Sequence, residues 1–230
     1  MALYQIMKSD SMIKVESNSP HPGWLSVFIK LMKLRVIILL QITAICAILV
    51  HDMLARHELI DIERTWQDTF FASFITIVGG TLSAGGSNAI NMWFDSDIDQ
   101  HMRRTQNRPV PMGHISAQGA LIFGIIIAVL GSSLFLLVSW KAAFWSFFSV
   151  LFYVLIYTMW LKRRTPQNIV IGGIAGSTPP LIGWAVAAAE YTKNSNPFDL
   201  ASAIPWMLFA LIFLWTPPHF WALALYRSGE

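Results

Sequence analysis

Six separate stretches of this chain are apolar enough and long enough to cross a bilayer, and that pattern limits its fold before any motif is read. Hydrocarbon about 30 Å thick is spanned by roughly 20 helical residues rising about 1.5 Å each. The runs cover about residues 36–50, with an amphipathic lead-in over 24–35, then 69–93, 117–138, 142–161, 169–189 and 201–225. In lipid only helices and closed barrels satisfy every backbone donor and acceptor, and runs of this length are helical. The expected architecture is therefore an all-α, polytopic membrane helix bundle. Of the 230 residues 55% are apolar and 13% charged, about half the usual charged share, which excludes disorder and a water-soluble fold.

The few charges are informative by position. Sixteen Lys and Arg stand against thirteen Asp and Glu, a net +3, so there is no basic surface for nucleic acid. Twelve of the basic residues fall in the N-terminal segment, the loops after the second and fourth runs and the tail, against four on the other side. The richer side is expected to be cytoplasmic, with the N-terminus on that side. Residues 1–23 contain Asp10, Glu16, Pro20 and Pro22 without an apolar core and read as a cytoplasmic segment rather than a cleaved secretory signal. Lys8 and Lys14 are balanced by acids, unlike a mitochondrial transit peptide. The expected location is a bacterial plasma membrane, with residues 24–230 forming one transmembrane domain.

Within the runs, Pro179–Pro180 and Pro217–Pro218 remove amide donors and are expected to kink the fifth and sixth helices. Gly79, Gly80, Gly85 and Gly86 in the second run, and Gly172 and Gly176 at GxxxG spacing in the fifth, are expected at close helix contacts. Cys46, the one cysteine, lies in an apolar run and reads as a small buried hydrophobe. Trp66, Trp93, Trp140 and Trp160 lie at run ends and read as interfacial anchors.

The segment Asn91-Met-Trp-Phe-Asp95-Ser-Asp97-Ile-Asp99 continues the second helix out of the membrane. Residues four apart turn through about 400°, so Asn91, Asp95 and Asp99 form one oxygen-only stripe, with Asp97 pointing away into a capping or solvent role. Such a set suits Mg²⁺, which keeps open positions for phosphate oxygens; the bland alternative is a solvated helix end. The same loop continues to Arg104 and Arg108, and the loop after the fourth run carries Lys162, Arg163 and Arg164. Arginine forks and lysine point charges are phosphate ligands. Together they suit ionisation of an allylic diphosphate, whose carbocation an apolar cavity would shield. A cation transporter is the alternative from another class, but its site belongs near the bilayer midplane, whereas this stripe lies past the helix end.

These residues resemble a known family. Asn91-x-x-x-Asp95-x-x-x-Asp99 with Arg104-Thr-x-x-Arg108-Pro is similar to the first aspartate-rich motif of the intramembrane prenyltransferases related to 4-hydroxybenzoate polyprenyltransferase. Three longer stretches, over residues 157–168, 169–184 (Ile-Val-Ile-Gly-Gly-Ile-Ala-Gly-Ser-Thr-Pro-Pro-Leu-Ile-Gly-Trp) and 215–225 (Trp-Thr-Pro-Pro-His-Phe-Trp-Ala-Leu-Ala-Leu), resemble its haem O synthase branch, the protohaem IX farnesyltransferases.

That resemblance implies transfer of farnesyl from farnesyl diphosphate to a vinyl group of haem b. The product, haem O, would pass to terminal oxidases directly or through a haem A synthase. It further implies that Asn91, Asp95 and Asp99 hold Mg²⁺, that Arg104, Arg108, Lys162 and Arg163 hold diphosphate, and that Arg164 and Asn168 lie near them. An aromatic-acceptor relative is the close alternative. His219, beside Pro217 and Pro218, is read either as a haem ligand or as a donor to carbonyls that the prolines free; His101 and His114 are expected to be solvated. Relatives of this kind have nine helices and a second acidic motif after the sixth, and the sequence given stops at Arg227-Ser-Gly-Glu230, where that motif would begin. A piece of a longer protein and a shortened, inactive product are both consistent with this.

Overall fold

All six apolar runs form helices, and six of the resulting spans are long and apolar enough to cross a membrane. The computed structural model describes residues 23–60 and 62–226; most of the N-terminal segment and the tail after Tyr226 lie outside them. In chain order the elements are α1 (Trp24–Met32), α2 (Leu34–Arg56), α3 (Trp66–Phe94), the single turn α4 (Ser96–Asp99), α5 (Ala117–Leu134), α6 (Trp140–Leu151), α7 (Asn168–Ser177), α8 (Pro179–Ala187) and α9 (Ile204–Tyr226). A 3-10 turn, Phe135–Leu137, extends α5, and a π-helical stretch, Phe152–Leu161, extends α6.

Helix starts follow their local chemistry. Thr65 and Asp68 cap α3 reciprocally, the arrangement that satisfies two orphan amides at once. Ser116 and Ser139 cap α5 and α6 by accepting from Gly119 N and Ala142 N. The lead-in helix α1 is separated from α2 by Lys33, whose φ of 56° and ψ of 56° are left-handed. A side chain in that region costs roughly 1 kcal/mol, so this turn has to be held by its surroundings. Asn88 Nδ2 of α3 donates to the Met32 carbonyl across 2.8 Å, and Met32 itself fills the space over Gly85.

The second and third spans, α3 and α5, make the most extensive pairing in the bundle. A Cβ added at Gly86 would lie 2.4 Å from the Gly124 carbonyl oxygen, and one at Gly131 would lie 2.4 Å from Ser83 N. Close approach of two backbones is what small residues provide in lipid. The GxxxG pair of the fifth run does not behave as one seam: Gly172 is closed over by Tyr157, whereas Gly176 faces open space. The glycines that seat α5 on α3 are instead Gly124 and Gly131.

The prolines act differently in the two late spans. The fifth run is interrupted at Thr178, where α7 ends and α8 begins with Pro179 and Pro180 in its first turn, a position where a missing amide is harmless. The sixth continues as one helix through Pro217 and Pro218, each of which removes one ladder bond. Cys46 is also not where burial in a water-soluble core would put it. It is exposed on the outside of α2, as many apolar side chains of these helices are, because a membrane helix need not hide apolar groups from lipid.

Away from the acidic segment, the far end of the bundle is tied by buried polar groups. Fully buried His51 lies 2.7 Å from Asp52 Oδ1 through Nδ1 and hydrogen-bonds the Tyr191 hydroxyl through Nε2. Asp52 also accepts from Arg64 Nε at 2.9 Å and from Thr69 Oγ1 at 2.6 Å. Lys141, buried at the start of α6, donates to Asn194 Oδ1 and to the Asp199 carbonyl. The loop between α8 and α9 is thus clamped to α2 and α6.

Candidate functional site

Asn91 lies on the last turn of α3, Asp95 follows it as the C-cap and Asp99 ends α4. Helical hydrogen bonding runs on through this junction, since Asp95 N donates to the Asn91 carbonyl and Asp99 N to the Asp95 carbonyl. The stripe inferred from the spacing therefore survives, and all three side chains are buried. A solvated helix end is excluded by that burial.

Each of the three meets a different cation. Lys33 Nζ donates to Asn91 Oδ1 across 3.3 Å, Lys162 Nζ donates to Asp95 Oδ2, and Arg108 Nη1 donates to Asp99 Oδ2 across 2.6 Å. Asn91 is also fixed from its other side, its Nδ2 donating to Thr158 Oγ1 at 3.1 Å. Thr158 lies in the π-helical stretch and Lys162 caps its end, where Lys162 N bonds the Tyr157 carbonyl five residues back. The wider turn of such a stretch faces both side chains to α3. Burial, with the positive charges of Arg108 and Lys162, holds the Lys33 ammonium down at about 8.

The remaining candidates sort by position. Arg163 grips Asp97 with two nitrogens, at 2.9 and 2.7 Å, donates to the Phe94 carbonyl and lies over the Phe94 ring. Asp97 faces solvent as expected and also joins the two loops through Arg163, which holds its carboxyl below the usual range. Arg104 and Arg164 are exposed and unpaired among the described residues. Asn168 Nδ2 donates to the Lys162 carbonyl at 3.3 Å and so supports the loop. His219 is exposed on α9 and stacks on Trp215 at 4.3 Å; among the described residues it donates to no carbonyl, so the capping reading is not what this arrangement shows. His101, also exposed, reaches the Asp97 carbonyl.

Sequence reasoning missed Lys33 and Thr158. Lys33 entered only as one of the basic residues near the first span, and Thr158 only as part of the 157–168 stretch, with no role given to it. The signal that existed was weak: a lysine one residue before a long apolar run.

Above this cluster lies a cavity of about 350 Å³ between α2, α3, α6 with its π-helical extension, α7, α8 and α9, reaching Tyr157 and Asn88, the latter one turn before Asn91. Its wall is mainly apolar, with Leu40, Ile182 and Phe220 among the side chains facing it. The oxygen-only donors Asn91, Asp95 and Asp99 fit a hard cation chemically. Among the described residues no three His, Cys, Asp or Glu side chains converge, so such an ion would depend on Asn91 and on oxygens brought by a ligand.

The chain is thus a helical membrane protein with buried acid–cation pairs close to a mainly apolar cavity. The comparisons agree with that class. The model of the UbiA prenyltransferase family matches residues 62–229, and the chain belongs to that family. Among similar proteins are the protoheme IX farnesyltransferases of Parvibaculum lavamentivorans, 45% identical over 209 residues and 88% of this chain, and Bartonella henselae, 44% identical over 214 residues and 93% of this chain. The chain spans only 57% and 61% of the length of these two curated relatives. Two solved structures share the fold. One, from work on digeranylgeranylglyceryl phosphate synthase, has a TM-score of 0.62 at 22% identity and covers 83% of this chain and 58% of that one. The other, a UbiA homolog from Aeropyrum pernix K1, has a TM-score of 0.56 at 21% identity and covers 76% and 59%.

Proposed function

We propose that this protein transfers farnesyl from farnesyl diphosphate to a vinyl group of haem b, giving haem O, in a bacterial plasma membrane. The observation that carries the reading is the three-to-three pairing of Asn91, Asp95 and Asp99 with Lys33, Lys162 and Arg108 beside an apolar cavity. The identity of the acceptor is supported by the relatives' names. In this reading the stripe end faces the cytoplasm and residues 24–230 act as one transmembrane unit.

A diphosphate gains negative charge as the carbon–oxygen bond of its allylic ester breaks, so preplaced cations stabilise the departing group more than the bound ester. Lys162 and Arg108, already oriented by the carboxylates, are the groups that turn to phosphate oxygens, with Arg104 and Arg164 approaching from the exposed rim. A divalent ion such as Mg²⁺, when bound by Asn91, Asp95 and Asp99, adds positive charge at the same oxygens. The isoprenoid chain occupies the cavity, where each buried CH₂ contributes about 0.8 kcal/mol, and the apolar wall keeps water from the allylic cation. The vinyl π electrons then form the new carbon–carbon bond. Water captures the resulting cation and releases a proton.

The test is to incubate membranes carrying the protein with farnesyl diphosphate and either haem b or 4-hydroxybenzoate and to weigh the product. A haem adduct heavier by a farnesyl and a hydroxyl group supports the reading. A prenylated hydroxybenzoate moves the protein to the quinone-type branch, and no prenylated product of either acceptor overturns it.

A further inference from the structure

The helix α1 is a separate feature that the reaction does not explain. Its inner face packs Val27 and Leu31 against Ala89, Met92 and Ala120, and Phe28 stacks on Phe123 at 4.5 Å. Its outer face presents Trp24, Leu25 and Ile29, with Lys30 and, just past the turn, Arg35 also exposed. No acidic residue occurs between Gly23 and His51. An apolar edge flanked by cations alone is complementary to the headgroup region of a negatively charged leaflet.

That helix ends in the site. The Met32 carbonyl is held by Asn88, three residues before Asn91, and the left-handed Lys33 sends its ammonium to Asn91 Oδ1. A non-glycine residue kept at positive φ where the chain changes direction joins two elements whose relative placement matters. We propose that α1 seats on anionic phospholipid headgroups and, through the Lys33 turn, sets the placement of Asn91 at the head of the acidic stripe. Lys33 is then a positioning residue, acting through Asn91. The consequence for diphosphate binding rests on the function proposed above; the lipid-to-Asn91 coupling does not.

The test uses the whole chain in phosphatidylcholine vesicles with and without phosphatidylglycerol. An environment-sensitive label at Ser26→Cys, on a Cys46→Ser background, reports seating of α1, and hydrogen exchange over residues 88–99 reports the stripe. Anionic lipid is expected to shift the label emission to the blue and to slow exchange in that segment. Lys30→Gln with Arg35→Gln is expected to weaken the seating equilibrium about 25-fold, at roughly a factor of five for each basic residue, and to abolish both responses. Lys33→Gln should keep the label response and lose the exchange response, and Lys33→Arg should restore it. Emission insensitive to lipid charge overturns the proposal, as does an exchange response that survives Lys33→Gln. Inorganic pyrophosphate binding, measured in both vesicles, separates the two readings: its absence with both responses intact sinks the diphosphate site and leaves the coupling standing.

Discussion

Arg108 Nη1 donates to Asp99 Oδ2 within one loop, whereas Lys162 reaches Asp95 from 67 residues away. The first pair is made by local chain geometry and the second by packing of the α6 extension on α3. Both carboxylates are almost fully buried, while the cations remain a quarter to a third exposed. The acid side therefore depends on its partner more than the cation does.

Replacing Arg108 with Ala leaves a buried carboxylate without its counter-charge. Thermal unfolding of the detergent-solubilised protein should show a loss of about 2 kcal/mol, below the full penalty of a wholly buried pair because Arg108 is partly solvated. Adding Asp99→Asn should recover most of that loss. Equal instability of the double and single variants would show that the pair is not coupled.

Lys162 and Arg163 are neighbours with different partners, and their variants should separate. Lys162→Gln is expected to weaken pyrophosphate binding about tenfold, or about 1.4 kcal/mol, by removing a cation aimed at the stripe. Arg163→Gln should leave that affinity within about twofold, while loosening the two loops it joins, visible as faster proteolysis after Arg164. A titration calorimeter and a timed digest read the two effects.

Removing divalent ions by chelation should lower pyrophosphate affinity in the unaltered protein, with recovery on adding Mg²⁺. Asp95→Asn should make the affinity insensitive to the ion, because a carboxylate is replaced by a neutral amide of the same shape. An unchanged response to Mg²⁺ in that variant would remove Asp95 from the ion's ligands.

The seam of α3 and α5 predicts a stability contrast between glycines. Gly86→Ala places a methyl group 2.4 Å from the Gly124 carbonyl oxygen and should destabilise by about 1–3 kcal/mol as the backbones separate. Gly176→Ala meets nothing within 4 Å and should stay within about 0.5 kcal/mol of the parent or gain slightly. Melting curves of the two purified variants check the contrast.

At the other end of the bundle, Tyr191→Phe removes a partner from fully buried His51. A loss of about 1–2 kcal/mol is expected, with pyrophosphate affinity unchanged because the stripe lies at the opposite ends of α2 and α3. A matching loss of affinity would mean that the two ends move together.

The amino-acid sequence by itself determined the helical class, the six spans and the oxygen stripe. Hydrophobic run length and i, i+4 spacing are local properties, and the α3–α4 junction keeps its hydrogen bonds from Asn91 to Asp99, so the periodicity read from the chain is the one that forms. Pro179 and Pro180 likewise announced the break at Thr178. Only the tertiary structure decided which cation serves which acid. Lys33 and Lys162 come to Asn91 and Asp95 from 58 and 67 residues away, carried by a left-handed turn and a π-helical stretch that have no clear signature in residue type. Adjacent Arg163 faces Asp97 instead. Which glycines meet another backbone, Gly86 and Gly131 rather than Gly176, was settled in the same way, because a helix's own sequence specifies its faces but not what packs on them.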